Sequence, residues 1–416
     1  GCHKTDAGTH AGFRPKTPKA GEQCARISQL ILSYFGGAGL KLNICMLADQ
    51  FPPTLGGVSS YVYNLSRSLV QRGHSVSVIT RGGWKNSKHE EIDGISVYRV
   101  QFIPCYPSPF WLHGVLVNRL LRHLEPHFDL LHVHGALVPV VDTGLPIVFT
   151  SHGTVKKDIA NMPVRSFHFL IVKILSRQLF KSERNLVSNA DILTTVSQSC
   201  AEDLRKYHAI EKEISVIGNG VDCAFFTPLQ QKQVSQPYVL YAGRLETRKG
   251  LVTLVASAQY VCQKHRNLKF VLVGKGTIER MLKNMVSKLK LDQNFCFAGH
   301  VADRNQLRQY YQNATINVLP SYYEGLPTSL LEAMSCAIPS VATDVEGNSE
   351  VITDGETGLL VPPRDPRLLA EAILKLLDDE QLRTKIGANA RKHVLENYDW
   401  PLVVDRVERV YEACLA

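Results

Sequence analysis

Residues 41–83 read KLNICMLADQFPPTLGGVSSYVYNLSRSLVQRGHSVSVITRGG. An apolar run leads into a turn, and Val58, Tyr61, Val62, Leu65 and Leu69 then recur at helical spacing. Gly73 marks the helix end, and SVSVIT opens a second strand. Strand, Gly-rich turn, helix and strand follow one another within about 40 residues, which is a βαβ unit of Rossmann type.

The pattern repeats outward from this unit. ISVYRV, LLHVHG, IVFTSHG, ILTTVS and ISVIGNG are further strand candidates, and one doubly wound domain is expected over 41–228. After the polar stretch TPLQQKQVSQ a second series begins: YVLYAGRL, KFVLVGKG, NFCFAGHV, TINVLPSY, IPSVAT and GLLVPP, with helical segments between them. A second Rossmann-like domain is expected over 237–395. The fold class is therefore α/β, with two similar parallel-sheet domains covered by helices on both faces. The amphipathic stretch WPLVVDRVERVYEACL, within 396–416, is expected to form a helix that packs back across the junction.

The 416 residues are enough for two or three cores, and 44% apolar with 20% charged residues is an ordinary globular mixture. A net charge of +9 suits nucleic acid, anionic lipid or a phosphorylated small molecule equally, and no nucleic-acid recognition motif accompanies it. The ten cysteines are scattered singly without zinc spacing, which fits reduced thiols in a cytoplasmic protein. No apolar run reaches the roughly 18–20 residues needed to span a bilayer. Residues 1–40, polar, Gly-rich and basic, are read as a flexible lead-in. FWLHGVLVNRLLRHLEPH and VRSFHFLIVKILSRQLFKSERN mix aromatic and aliphatic residues with Arg, Lys and His, as interfacial helices do. Peripheral membrane contact competes there with plain core helices.

Four stretches carry chemistry. Gly56 and Gly57 lie where the first strand turns into its helix, a place suited to phosphate, although G-x-G-x-x-G is absent. Arg244 and Lys249 sit five apart in YAGRLETRKGL, at the strand end where open α/β sheets bind ligands. His152, in TSHG, ends a strand of the first domain, and Gly153 favours it over His134 as the cleft residue. PSYYEGLPTSLLEAMSC, residues 320–336, places Glu324 in a turn and Glu332 on the following helix, with Pro327 suited to the first helical position. The amides after Gly325 are helix-start donors, and the carboxylates flank them. A ligand with a phosphate centre and hydroxylated rings at both ends, such as a nucleotide sugar, fits.

These residues resemble the retaining glycosyltransferases of family 4, which have the GT-B fold of two facing Rossmann-like domains. The resemblance runs from about Asn43 to Tyr411 and rests most on E-x7-E (Glu324, Glu332) combined with R-x4-K (Arg244, Lys249). It implies that Arg244 and Lys249 bind the donor pyrophosphate, and Glu332 the ribose hydroxyls. Glu324, with the backbone of Gly325, Leu326, Pro327 and Thr328, would hold the transferred sugar and phosphates. Gly57, beside Gly56, would approach the diphosphate, His152 would lie beside the sugar, and Lys275 and Val301 would border the base. The expected reaction moves a sugar from a UDP- or GDP-sugar to an acceptor hydroxyl with retention, by front-face attack, in glycolipid, cell-envelope polysaccharide or glycan synthesis. No D-x-D motif occurs, so neither metal nor other cofactor is expected. The early stretch also resembles enzymes that sugar-modify phosphatidylinositol lipids, so a lipid-linked acceptor stands beside sugar and small-molecule acceptors. Ala337 stands where the family often has glycine, Glu346 at a glycine position, Ser349 at a proline position, and Gly218 at a frequent proline. Other readings are a nucleotide-sugar epimerase or phosphorylase, and a donor-binding subunit without turnover.

Overall fold

The computed structural model describes residues 41–54, 56–84, 87–103, 109–135, 141–160, 168–229 and 236–416, without the side chains of 109–110, 158–160 and 168–175. The expected lead-in over 1–40 lies outside the described residues. From Asn43 onward the chain forms one compact unit built on two sheets.

In the first half the elements are β1 (Asn43–Ala48), α1 (Gly57–Gln71), β2 (Ser75–Arg81), β3 (Lys88–Ile92), β4 (Ile95–Val100) and α2 (Pro109–Leu124). They continue as β5 (Leu130–His134), β6 (Ile147–Ser151), α3 (Val155–Ala160), α4 (His168–Asn189), β7 (Ile192–Thr195), α5 (Gln198–His208) and β8 (Ile214–Val216). The sheet order is β3-β4-β2-β1-β5-β6-β7-β8. All neighbours are parallel except β3 and β4. Every residue of β5 and β6 is buried, because helices cover both faces and no position along these strands sees water. β3 is absent from the sequence reading. Its KHEEI is polar because it is an edge strand, and the turn Asp93-Gly94, both with positive φ, folds it back on β4.

The second half contains β9 (Tyr238–Ala242), α6 (Leu251–Lys264), β10 (Lys269–Val273), α7 (Glu279–Lys288), β11 (Phe295–Gly299), α8 (Arg304–Asn313) and β12 (Ile316–Leu319). It then runs through α9 (Thr328–Ser335), β13 (Ser340–Thr343), α10 (Glu346–Ser349), β14 (Leu359–Val361), α11 (Pro366–Asp378), α12 (Glu380–Asn397) and α13 (Trp400–Leu415). The order β11-β10-β9-β12-β13-β14 is wholly parallel. Strand order therefore reverses between β9 and β12, and the loops leaving those two strands open a crevice at the carboxyl edge.

The last helix returns to the first sheet. Trp400 packs 5.6 Å from the Tyr61 ring of α1, and the Tyr411 hydroxyl lies 2.7 Å from Nδ1 of His132. Arg72, just past α1, bonds Asp405 at 2.5 Å and Glu408 at 2.6 Å.

α9 ends in a Schellman motif: Ala337 N–H donates to Met334 O, and Ile338 N–H to Ala333 O. The motif puts Ala337 at φ 56, a left-handed conformation that an L side chain resists. Ala337→Gly is expected to stabilise the protein by about 1 kcal/mol, measured as an upward shift of the denaturant midpoint at unchanged slope.

Candidate active site at the strand-order reversal

The loop after β9 runs through a 3-10 turn, Thr247–Lys249, and closes at Gly250, whose φ of 65 is left-handed. A Cβ on Gly250 would stand 1.8 Å from the Pro320 carbonyl oxygen, so only glycine lets this loop touch the one after β12. Tyr322 N–H donates to Arg248 O at 2.8 Å and ties the two loops together.

Glu324 sits in that junction with 6% of its surface exposed. Its Oε1 accepts from Lys249 Nζ at 2.5 Å and from Ser321 Oγ at 2.6 Å, and Arg248 lies 3.5 Å from Oε2. Burial pushes the Glu324 carboxyl up, but Lys249 and Arg248 outweigh it and hold it below the usual carboxylate range.

Pro327 is extended, at φ −80 and ψ 111, so it precedes the helix instead of opening it, and Thr328 takes the first helical position. The Leu326 carbonyl accepts from Asn219 Nδ2 at 2.5 Å, which pins the turn ahead of the helix. A Cβ on Gly325 would come within 2.8 Å of the His152 carbonyl oxygen, so the bare turn presses against the edge of the first sheet. Glu332 follows on α9, half-buried, with Oε2 accepting from the Tyr311 hydroxyl at 2.8 Å. Burial raises its carboxyl to about 7, against the hydrogen bond from Tyr311 and the charge of Arg304. A cavity of about 30 Å³ beside it is lined by Ser60 and Asn64 of α1 and by Asp222, Arg304, Thr328 and Glu332. Groups from both sheets thus share one small space.

On the first sheet's side, Gly56 precedes α1 and Gly57 begins it. A Cβ on Gly57 would meet nothing within 4 Å, so the helix start is open to a ligand, whereas one on Gly56 would meet Gln50 Oε1 at 2.9 Å. The sequence leaves His134 and His152 as rivals for the cleft, and the structure joins them: His134 Nδ1 is 3.3 Å from His152 Nε2. His134 is buried behind, while His152 is partly exposed, its ring 4.8 Å from Tyr61. Burial lowers the His152 imidazole to about 4, so at neutral pH it is uncharged and offers a hydrogen bond, not a cation.

Three predicted residues stand apart from this cluster. Arg244 has 61% of its side chain exposed and pairs with Glu246 at 2.5 Å, so it does not close with Lys249 around one point. Arg248 takes the place beside Glu324, and the sequence reading passed over it. ETRKG holds two adjacent cations, and spacing does not say which one turns inward. Lys275, exposed after β10, and Val301, half-buried after β11, lie at the same carboxyl edge as the crevice. Glu346 and Glu350 were also missed as contacts. Glu350 accepts from the N–H groups of Gln198 and Ser199, and Glu346 pairs with Lys157 at 2.8 Å.

The raised carboxyl of Glu332 has a pH signature. A folded-state value above the ordinary 4.5 favours the folded state fully below that pH, and this contribution is lost as pH rises through about 7. Glu332→Gln is therefore expected to flatten the fall in melting temperature between about pH 5 and 8, measured by calorimetry against the parent chain.

Two families match the chain: "Glycosyltransferase Family 4" over residues 55–225 and "Glycosyl transferases group 1" over 227–393. An uncharacterized glycosyltransferase of Methanocaldococcus jannaschii is 27% identical over 90% of this chain and 99% of its own. The phosphatidylinositol N-acetylglucosaminyltransferase gpi3 subunit of Schizosaccharomyces pombe is 28% identical over 88% of this chain and 80% of its own. Sucrose-phosphate synthase from Thermosynechococcus elongatus superposes with a TM-score of 0.76 at 25% identity, over 90% of this chain and 99% of that one. Anabaena HepE in complex with UDP-glucose superposes at 0.73 with 18% identity, over 89% and 100%. The chain belongs to the group 1 glycosyltransferases, with the GT-B fold.

Proposed function

We propose that the protein transfers a sugar from a nucleoside diphosphate sugar to an acceptor hydroxyl with retention of configuration, without a metal ion, as a peripheral protein at a membrane surface. The observation that carries the donor half is the convergence of Lys249, Glu324 and the start of α9 at the strand-order reversal, with Gly325 pressed against the His152 carbonyl. The diphosphate lies against Lys249 and the free N–H groups that begin α9, where positive charge and helix dipole meet the charge developing on the leaving oxygen. Glu332 takes the ribose hydroxyls, and Glu324 with neutral His152 takes the sugar. The acceptor oxygen attacks C1 from the face the diphosphate leaves. As the C1–O bond to phosphate breaks, the new C1–O bond forms and the acceptor proton passes to the departing phosphate oxygen. Glu324 is already committed to Lys249 and Ser321, which favours a binding role over a nucleophilic one.

UDP-glucose solved with HepE and the phosphatidylinositol in the name of the Schizosaccharomyces relative set the first substrates to try. A panel of UDP- and GDP-sugars, scored by nucleotide release with and without a lipid extract, tests the proposal; no release from any donor would sink it. Glu332→Ala is expected to raise the donor KM about tenfold with little change in kcat, and Glu324→Ala to lower kcat about 100-fold or more. Equal, KM-only effects would undo that division of roles. Turnover is expected to persist in EDTA, and loss restored by manganese would overturn the metal-free reading.

A further inference from the structure

Exposed large apolar side chains gather at one end of the first sheet. Trp84 follows β2 and is 68% exposed; Ile103 follows β4 and is 37% exposed. Trp111 and Val115, on the first turns of α2, are 64% and 44% exposed. Gln101 links the three segments: its Nε2 donates to Trp84 O at 2.8 Å, and its own carbonyl lies 3.1 Å from Nδ1 of His113 on α2. Trp84 and Ile103 are therefore held beside the start of α2.

Along α2 the spacing Trp111, Val115, Arg119, Arg122 keeps one face outward, while Val117 and Leu121 are buried beneath it. The outward stripe is apolar at its start and basic toward its end. β2 and β4 run parallel to β1, so Trp84 and Ile103 leave the sheet at the same edge as Gly57, with the β2 loop one strand over from it. At about 4.8 Å per strand, the ends of β2 and β4 that lead to Trp84 and Ile103 lie within roughly 20 Å of the end of β6, which precedes His152.

We propose that this patch, formed by Trp84, Ile103, Trp111 and Val115 with Arg119, is the surface by which the protein docks on an anionic lipid membrane beside the cleft. The inference rests on the peripheral placement proposed above and names where it occurs. A lipid surface fits the chemistry better than a protein partner. The apolar side chains are spread over two loops and a helix, an arrangement that suits a fluid interface needing no shape complementarity. Tryptophan takes the headgroup level, with its ring apolar and its N–H wet. Arg119 lies on the flank, where anionic headgroups complement it. Arg122 has Asp142 at 3.8 Å and contributes less.

The test is sedimentation of the full chain with phosphatidylcholine vesicles, with and without phosphatidylserine. Binding is expected to require the anionic lipid and to fall in high salt. Trp84→Ser combined with Trp111→Ser is expected to lower the partition coefficient about tenfold or more, and Arg119→Glu roughly fivefold. Both variants should keep the parent melting temperature and donor-dependent nucleotide release. Parent-like partitioning of the tryptophan variant would overturn the docking surface while leaving peripheral placement standing. Failure of the parent chain to bind either vesicle would overturn both. Dimerisation of the parent chain that those variants abolish, without vesicle binding, would assign the patch to a second copy and overturn the lipid surface.

Discussion

A buried carboxylate organises the crevice of the second sheet. Glu324 is almost wholly removed from water, where an unpaired charge would cost several kcal/mol, and Lys249 at 2.5 Å with Ser321 at 2.6 Å offsets that cost. The pair joins the loop after β9 to the loop after β12, and so fixes both sides of the point where strand order reverses. The energy gained is modest, since desolvation consumes most of the attraction. What the pair fixes is position: with Glu324 anchored inward, the bend at Gly325 and Leu326 and the extended Pro327 lead directly into the start of α9. The helix dipole and the lysine then act on the same region from two directions.

The strands could be read because burial on both faces forces continuous apolar runs, and each run ended in glycine or a turn where the sheet needed one. β3 could not, since an edge strand is under no such pressure, although Asp93-Gly94 carried a hairpin signal that went unused. Site residues divided along a similar line. Glu324, Glu332, Lys249 and His152 lie at a strand end or helix start; Lys249 and Glu324 pair directly, Gly325 after Glu324 presses on the His152 carbonyl, and Glu332 sits on the next helix against Tyr311. The second cation beside Glu324 is instead set by the 3-10 turn Thr247–Lys249, which brings Arg248 within 3.5 Å of that carboxylate. Arg244, before the turn, pairs with Glu246. Such a choice depends on a loop's local φ and ψ, which residue spacing does not encode. The same holds for Glu332. Its helix position was legible, but the raised carboxyl comes from burial, which outweighs the hydrogen bond from Tyr311, a residue 21 positions away.

Glu346, at a position where the family's common pattern has glycine, and Glu350 close by both bond groups of the first half. At the start of α5, Ser197 Oγ accepts from Cys200 N–H, while the N–H groups of Gln198 and Ser199 are met by Glu350 from the other sheet. The first-turn donors of this helix are thus satisfied only while the two halves are together. Glu346 adds a pair with Lys157, but nearly half of its side chain is exposed, so screening limits this contact to about 1 kcal/mol or less. Glu350, accepting two backbone donors at a helix N-terminus, is the stronger tie. Elsewhere along the junction, Arg72 holds Asp405 and Glu408, and Trp400 packs on Tyr61. Gly325 meets the His152 carbonyl with no side chain to hold it off. Separation of the sheets would break the Glu350 cap, so the polar contact at α5 helps to hold the turn that carries Glu324 against the first sheet.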